Sequence, residues 1–456
     1  MLGFVTNRSW QSETYHLARN ALPIAFFYIV EMAMGFIDTA VAGRLSTVDL
    51  GAVGLASGLM FAFLYAAFGM TSTTAIFSAD GQGPTQADRV TSSYVAGLIV
   101  TGALSPLIIL AALSVPLFLR FTGQDEAVVA SASLYIQGVV ASVPLALIFN
   151  VYRALLSALG SGVIIVWASV IGIIANLVAS PVLAFGVGFV PALGVFGIGL
   201  GTTIAHAAMV LFTLVATWKR HRISPLAIQR IHFDASLIRE FIAIGWPGIV
   251  LGFLESGFFA AMQVIAGMYG VASLSATTIG VQLADIISVL GLSIGEATMI
   301  SVVVITSKTY NPRAVNNIVI TGALIAVLLM IAAGLGVTFN PRMVEVVFLG
   351  ESESGDIVFQ NQLQIVLAIL PLALAADATQ LVLVRALKAL RDTRGPMFIA
   401  ALGYWVVGIG GGYLLANVGQ LGLAGVWAGF AIGLTCVSTV LALRLIVRAK
   451  FLPHSK

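Results

Sequence analysis

The chain has 456 residues, of which 59% are hydrophobic and only 9% charged, with a net charge of +3. A soluble domain of ordinary composition carries about 25% charged residues, so a water-soluble globular enzyme is excluded and a polytopic, all-α membrane protein is expected. The slight basic excess is no sign of a nucleic-acid partner, because the basic residues follow the membrane topology described below.

Apolar runs long enough to cross a hydrocarbon core of about 30 Å occur at 18–43, 50–75, 92–118, 128–155, 162–186, 194–217, 240–266, 272–304, 316–340, 358–386, 397–416 and 421–446. They predict twelve transmembrane helices. The N-terminus is polar and the first apolar run already has spanning length, so no cleavable signal peptide is expected. The 47 glycines suit helices whose backbones approach closely within a membrane. The single cysteine, Cys436, excludes an internal disulfide and reads as a small core residue.

Seventeen of the 22 Lys and Arg residues lie at the N-terminus, in the even-numbered loops or at the C-terminus. The odd loops hold Arg44, Arg120 and Arg342, while Arg153 and Arg385 lie at helix ends. The positive-inside rule therefore predicts cytoplasmic termini, in the plasma (inner) membrane. Arg153 and Arg385 are expected to snorkel to the interface or, alternatively, to bind substrate.

The halves of the chain echo one another. At an offset of 224, Pro23, Glu31 and Ala42-Gly43 fall on Pro247, Glu255 and Ala266-Gly267. "LGVFGIGLG" (193–201) matches "LGLAGVWAG" (421–429), and "RALLSALG" (153–160) matches "RALKALRD" (385–392). Equivalent spans lie six apart, an even number, so the repeat is parallel, with an axis along the membrane normal. The expected organisation is a six-helix lobe over 1–217, a basic linker over 218–239 and a second six-helix lobe over 240–456.

Six of the nineteen acids lie inside predicted spans, away from their ends: Glu31, Asp38, Glu255, Asp285, Glu296 and Asp377. Glu31 and Asp38 are seven residues apart, within about 20° of two helical turns, so they share a face. Asp285 and Glu296, eleven apart, also share one, with Thr278 and Gln282 nearby. An acid at the bilayer centre costs roughly 2.5–3.5 kcal/mol on insertion scales and marks a functional site by default. No Lys or Arg lies in mid-span to pair with these acids, so the polar chemistry is single-signed and suits protons, metal cations or organic cations. The competing reading is that some acids stay protonated and merely hydrogen-bond between helices.

Asn176 and Ser180, one turn apart, are further candidate ligands or interhelical hydrogen-bond partners. His206 can relay protons or serve structure. The run "TSTT" (71–74) is expected to bond to its own backbone. Walker-type glycine loops, zinc-ligand spacings and Ser-His-Asp sets are not found, so uphill work would draw on an ion gradient or a separate subunit.

"MGFIDTAVAG" (34–43), "WPGIVLGFLE" (246–255), "DATQLVLVRALKALRD" (377–392) and "LGVFGIGLGTTIA" (193–205) resemble the multidrug and toxic compound extrusion (MATE) transporters, in their NorM branch, over about 17–447. The resemblance implies two six-helix lobes around a central cavity. It also implies export of amphipathic organic cations against inward movement of protons or sodium, with functional acids at Asp38, Glu255 and Asp377 and a fifth-span polar pair beginning at Asn176. Two departures favour protons. Ser180 stands where the family usually has Asn or Asp, and Ala373 where NorM-like proteins often have Tyr. Sodium, were it the coupling ion, would bind at Glu255 and Asp377. Glu31, Asp285 and Glu296 are acids beyond the family pattern.

The expected partners are small organic cations, protons or sodium, and membrane lipid. No cofactor is expected, and the expected state is a monomer. The alternatives are a lipid-linked saccharide flippase of similar architecture, a membrane sensor and a membrane-embedded hydrolase. The first tends to need a basic cavity, the second an output domain and the third a nucleophile–base pair.

Overall fold

The computed structural model describes residues 32–79, 86–159, 161–221, 235–308, 312–350, 356–390, 392 and 394–451. Among these the regular structure is helical, apart from one isolated bridge between Val187 and Val190. In chain order the helices begin with α1 (Met32–Gly43), the described part of the predicted first span. Next come α2 (Thr47–Thr71), α3 (Thr73–Ala79), α4 (Gln86–Phe121), α5 (Glu126–Val139), α6 (Ser142–Ala158), α7 (Gly162–Phe185) and α8 (Gly194–His221). The second half holds α9 (Ala235–Gly267), α10 (Val271–Lys308), α11 (Pro312–Thr338), α12 (Pro341–Leu349), α13 (Ile357–Ala389) and α14 (Arg394–Ala401). A π-helical stretch (Leu402–Gly410), α15 (Gly411–Asn417) and α16 (Leu423–Phe451) complete it.

Ten described helices or helix pairs are long and apolar enough to span a membrane, and the pair α5–α6 makes an eleventh. With α1 these account for the twelve expected spans of a multi-pass membrane protein. Two spans differ in form from the continuous helices predicted. The fourth bends by 52° between α5 and α6. Pro144 explains the break: it has no N–H to donate to the carbonyl of Val140, four residues back, and its ring crowds that carbonyl. The eleventh is a composite of α14, the π stretch and α15, and the five glycines of the last two leave little side-chain packing to enforce an α-helical register.

The outer surfaces are inverted relative to a soluble protein. On α4, Leu107, Leu110, Leu113 and Leu117 form one exposed stripe, while Ile108, Ala112, Val115 and Leu119 are buried. In water each exposed leucine would forfeit about 1.5–3 kcal/mol of burial free energy. Against lipid tails, which are as apolar as leucine, that penalty vanishes.

The described helices group into two compact units, Ala33–Ser275 with Phe348–Glu353, and Ala276–Val347 with Ser354–Lys456. By packing, then, α9 lies with the first unit, although the sequence repeat groups the seventh span with the second half. Glycines seat it there. A Cβ on Gly69 of α2 would stand 2.2 Å from the Gly248 carbonyl oxygen of α9, and one on Gly252 would stand 2.5 Å from the Tyr65 carbonyl oxygen. Residues 222–234 of the predicted linker lie outside the described residues.

The repeat has a physical counterpart in each unit. Gly197 and Gly201 of α8 press on α7, and their repeat mates Gly425 and Gly429 of α16 press on α15. In both units, therefore, the last helix of the repeat lies on its predecessor at backbone distance.

Candidate functional site

Asp38 of α1 is only 3% exposed and accepts hydrogen bonds from three other helices. Its Oδ1 accepts from Asn176 Nδ2 at 3.0 Å and Ser180 Oγ at 3.1 Å, both on α7. Its Oδ2 accepts from Tyr135 Oη of α5 at 3.3 Å and from the Thr202 hydroxyl of α8. Burying an ionised carboxyl costs several kcal/mol unless its oxygens are satisfied, and here four donors converge on the two oxygens. Asn176 Nδ2 also lies 3.1 Å from Ser180 Oγ, whereas Asn176 Oδ1 is buried without a hydrogen-bond partner among the described residues. One oxygen in the cluster is thus left with lone pairs to offer a hydrogen-bond donor or a small cation.

The "LGVFGIGLG" motif builds this site. A Cβ on Gly197 would stand 2.5 Å from the Leu183 carbonyl oxygen of α7, and one on Gly201 would stand 2.4 Å from Ser180 Oγ. On the other face, a Cβ on Gly199 would stand 2.4 Å from the Tyr135 carbonyl oxygen of α5. Three glycines therefore wedge α8 between α5 and α7. Thr202, next to Gly201, is thereby carried to Asp38. His206, one turn on, places Nδ1 2.9 Å from the Thr202 carbonyl oxygen and does not contact the carboxylate.

In the second unit, Ser288 Oγ of α10 donates to Asp377 Oδ2 of α13 at 2.6 Å. Asp285 lies one turn before Ser288 on the same helix. Thr278, Gln282 and Asp285 continue along α10 at helical spacing. Thr278 Oγ1 is buried without a partner among the described residues, and Gln282 and Asp285 are half-buried.

Glu296 corrects a sequence expectation. It is not an unpaired acid: Arg385 Nε donates to its Oε1 at 3.0 Å, with both side chains mostly buried. Arg385 does not snorkel freely, since Nη1 also donates to the Leu381 carbonyl at 3.1 Å. Arg153 donates Nε and Nη2 to Asn150 Oδ1 at 3.1 and 2.7 Å, and Asn150 Nδ2 reaches Thr71 Oγ1 at 2.6 Å. Within "TSTT", Thr71 and Thr74 bond to the carbonyls of Ala67 and Thr71. Glu31 and the Glu255 side chain lie outside the described residues, so their placement as repeat mates stays a sequence reading.

Comparison with known proteins agrees with this architecture. The MatE family pattern matches residues 23–182 and 247–414. The multidrug resistance protein NorM of Burkholderia vietnamiensis is 29% identical over 436 residues, 94% of this chain and 92% of its own. The protein of the same name from Vibrio cholerae serotype O1 is 24% identical over 449 residues, 96% of each. Among solved structures, the inward-facing conformation of a multidrug resistance MATE family transporter aligns with a TM-score of 0.84 at 18% identity, over 95% of this chain and all of the other. The eukaryotic MATE transporter AtDTX14 aligns with a TM-score of 0.73 at 17% identity, over 97% of this chain and 98% of its own. The chain belongs to the MatE family, that of the multidrug and toxic compound extrusion transporters.

Proposed function

We propose that this transporter, which is not an enzyme, exports amphipathic organic cations by exchanging them for protons at buried carboxylates. The observation that carries the reading is Asp38, a buried acid held by four donors from three helices beside an unpartnered amide oxygen. A carboxylate can neutralise an organic cation or a coupling cation, but a single negative charge does not accommodate both comfortably. Loading one guest therefore favours release of the other, and differential affinity of this kind is what an exchanger needs. The names of the relatives support multidrug substrates. Glu255 and Asp377, with Asp285 beside the latter, form the second set of exchangeable charge. Glu31, as the repeat mate of Glu255, extends it.

Protons are preferred to sodium because two positions depart from the family pattern. Ser180 supplies one hydroxyl where the family pattern has a carboxylate or amide, and buried Ala373, one turn before Asp377, supplies no oxygen. The protein works as a monomer in the inner membrane with both termini cytoplasmic, and two lobes joined through the 218–239 linker alternate access. One charge crossing 100 mV supplies about 2.3 kcal/mol.

Uptake of a fluorescent organic cation into inverted vesicles tests the coupling. An interior-acid pH gradient is expected to drive accumulation about tenfold above an ungraded control, the ratio that 1.4 kcal/mol supports, and an equal sodium gradient to drive none. Uptake driven by sodium alone would reverse the assignment.

A further inference from the structure

We infer that the Glu296–Arg385 ion pair is a positioning element for Asp377, fixing the register of α13 along α10. This inference rests on the reading of Asp377 as an exchange site. Two polar contacts join these helices, Ser288 to Asp377 and Glu296 to Arg385, and each spans 89 residues in sequence. The partners advance together by eight residues on both helices, so α10 and α13 run parallel in register. The two contacts form rungs about 12 Å apart at 1.5 Å per residue.

The space between the rungs is made by glycine. A Cβ on Gly291 would stand 2.9 Å from Leu381 Cδ1, and one on Gly295 would stand 2.6 Å from Arg385 Cδ and 2.9 Å from the Leu381 carbonyl oxygen. Gly295 thus leaves the path by which the arginine side chain reaches Glu296, one residue further on. The guanidinium is additionally held by the carbonyl of Leu381 on its own helix, which restricts its swing.

A slip of α13 by one residue would move it by about 1.5 Å and rotate it by about 100°. Asp377 would then leave Ser288 altogether. A hydroxyl–carboxylate bond alone does not forbid such a slip, because serine can find its own backbone carbonyl one turn back. A mostly buried ion pair does, since breaking it strands two charges.

The repeat mate of Arg385 is also tied to a polar neighbour. Arg153 is bonded to Asn150, whose amide reaches Thr71 on α2.

The test compares Glu296→Ala, Arg385→Ala, Glu296→Asp, the exchange Glu296→Arg with Arg385→Glu, and Asp377→Asn, all purified and reconstituted with an imposed pH gradient. The single alanine variants are expected to lose about 10- to 100-fold in transport rate, the range that small misplacements of reacting groups cost. The exchanged pair is expected to recover at least to within about threefold of native. Glu296→Asp, which keeps the pair but shortens it, is expected to fold normally and shift the midpoint of the pH–rate curve. A Glu296→Asp protein with native rate and native pH profile would overturn the inference, as would an exchanged pair that inserts normally yet transports no better than the alanine variants. Should Asp377→Asn itself transport like the native protein, the underlying exchange reading fails. Should Asp377→Asn be inactive while Glu296→Asp is native in both measures, the positioning role alone fails.

Discussion

Asp38→Asn is expected to reduce gradient-driven export by about 100-fold, near the upper end of the coupling free energies that link two ligand sites. The variant removes the charge but leaves nearly the same volume among Tyr135, Asn176, Ser180 and Thr202. Its amide nitrogen must face a pair of former donors, either Asn176 with Ser180 or Tyr135 with Thr202. Hydroxyl groups can turn to accept, so the ordering cost is limited to about 1–3 kcal/mol for a group left unsatisfied. Protein should therefore reach the membrane in usable amount and still fail to export. Fluorescent-cation efflux normalised to membrane level separates these two effects. Native-like export per molecule would show that the charge of Asp38 is not exchanged.

Gly201→Ala is expected to lower transport by about tenfold or more without touching an acid. The added methyl would stand 2.4 Å from Ser180 Oγ and 2.7 Å from both Ser180 Cα and Ser180 N. The hydroxyl could turn away, but the backbone atoms could not, so α8 must retreat from α7. Thr202 is the next residue and donates to Asp38, so the retreat opens the site directly. Overpacking of this kind costs about 1–3 kcal/mol. Gly102→Ala in α4 is the control, since nothing lies within 4 Å of a Cβ there, and alanine favours a helix over glycine by about 1 kcal/mol. Transport rates and thermal unfolding of the two purified variants check the contrast. Equal behaviour would mean that the α7–α8 seam does not set the Asp38 geometry.

Much of this was legible before any coordinates, because the membrane makes sequence signals strong. Apolar length and the spacing of polar residues located the spans and put Asn176 and Ser180 on one face of α7, where both meet Asp38. Asp285 likewise lies one turn from Ser288, the donor to Asp377. Contacts between distant spans were not legible. Nothing in the sequence around Tyr135 distinguishes it from an interfacial tyrosine, and Thr202 reads as one more hydroxyl capping its own backbone. The glycines at 197, 199 and 201 could have signalled a helix packed on two sides, because 197 and 201 share a face that 199 does not. The pairing of Glu296 with Arg385 was missed because a helix-end arginine looks free to reach water. It is the absence of a side chain at Gly295 that lets it turn inward.

An arriving organic cation is expected to displace protons from the buried acids, and that release can be measured directly. Purified protein in weak buffer should release at least about one proton for each organic cation bound, read from a pH indicator during titration, since release on binding is the linkage partner of proton-driven export. The Glu255→Gln, Asp377→Asn double variant should release markedly less. Tight binding with no proton released by the native protein would contradict the account.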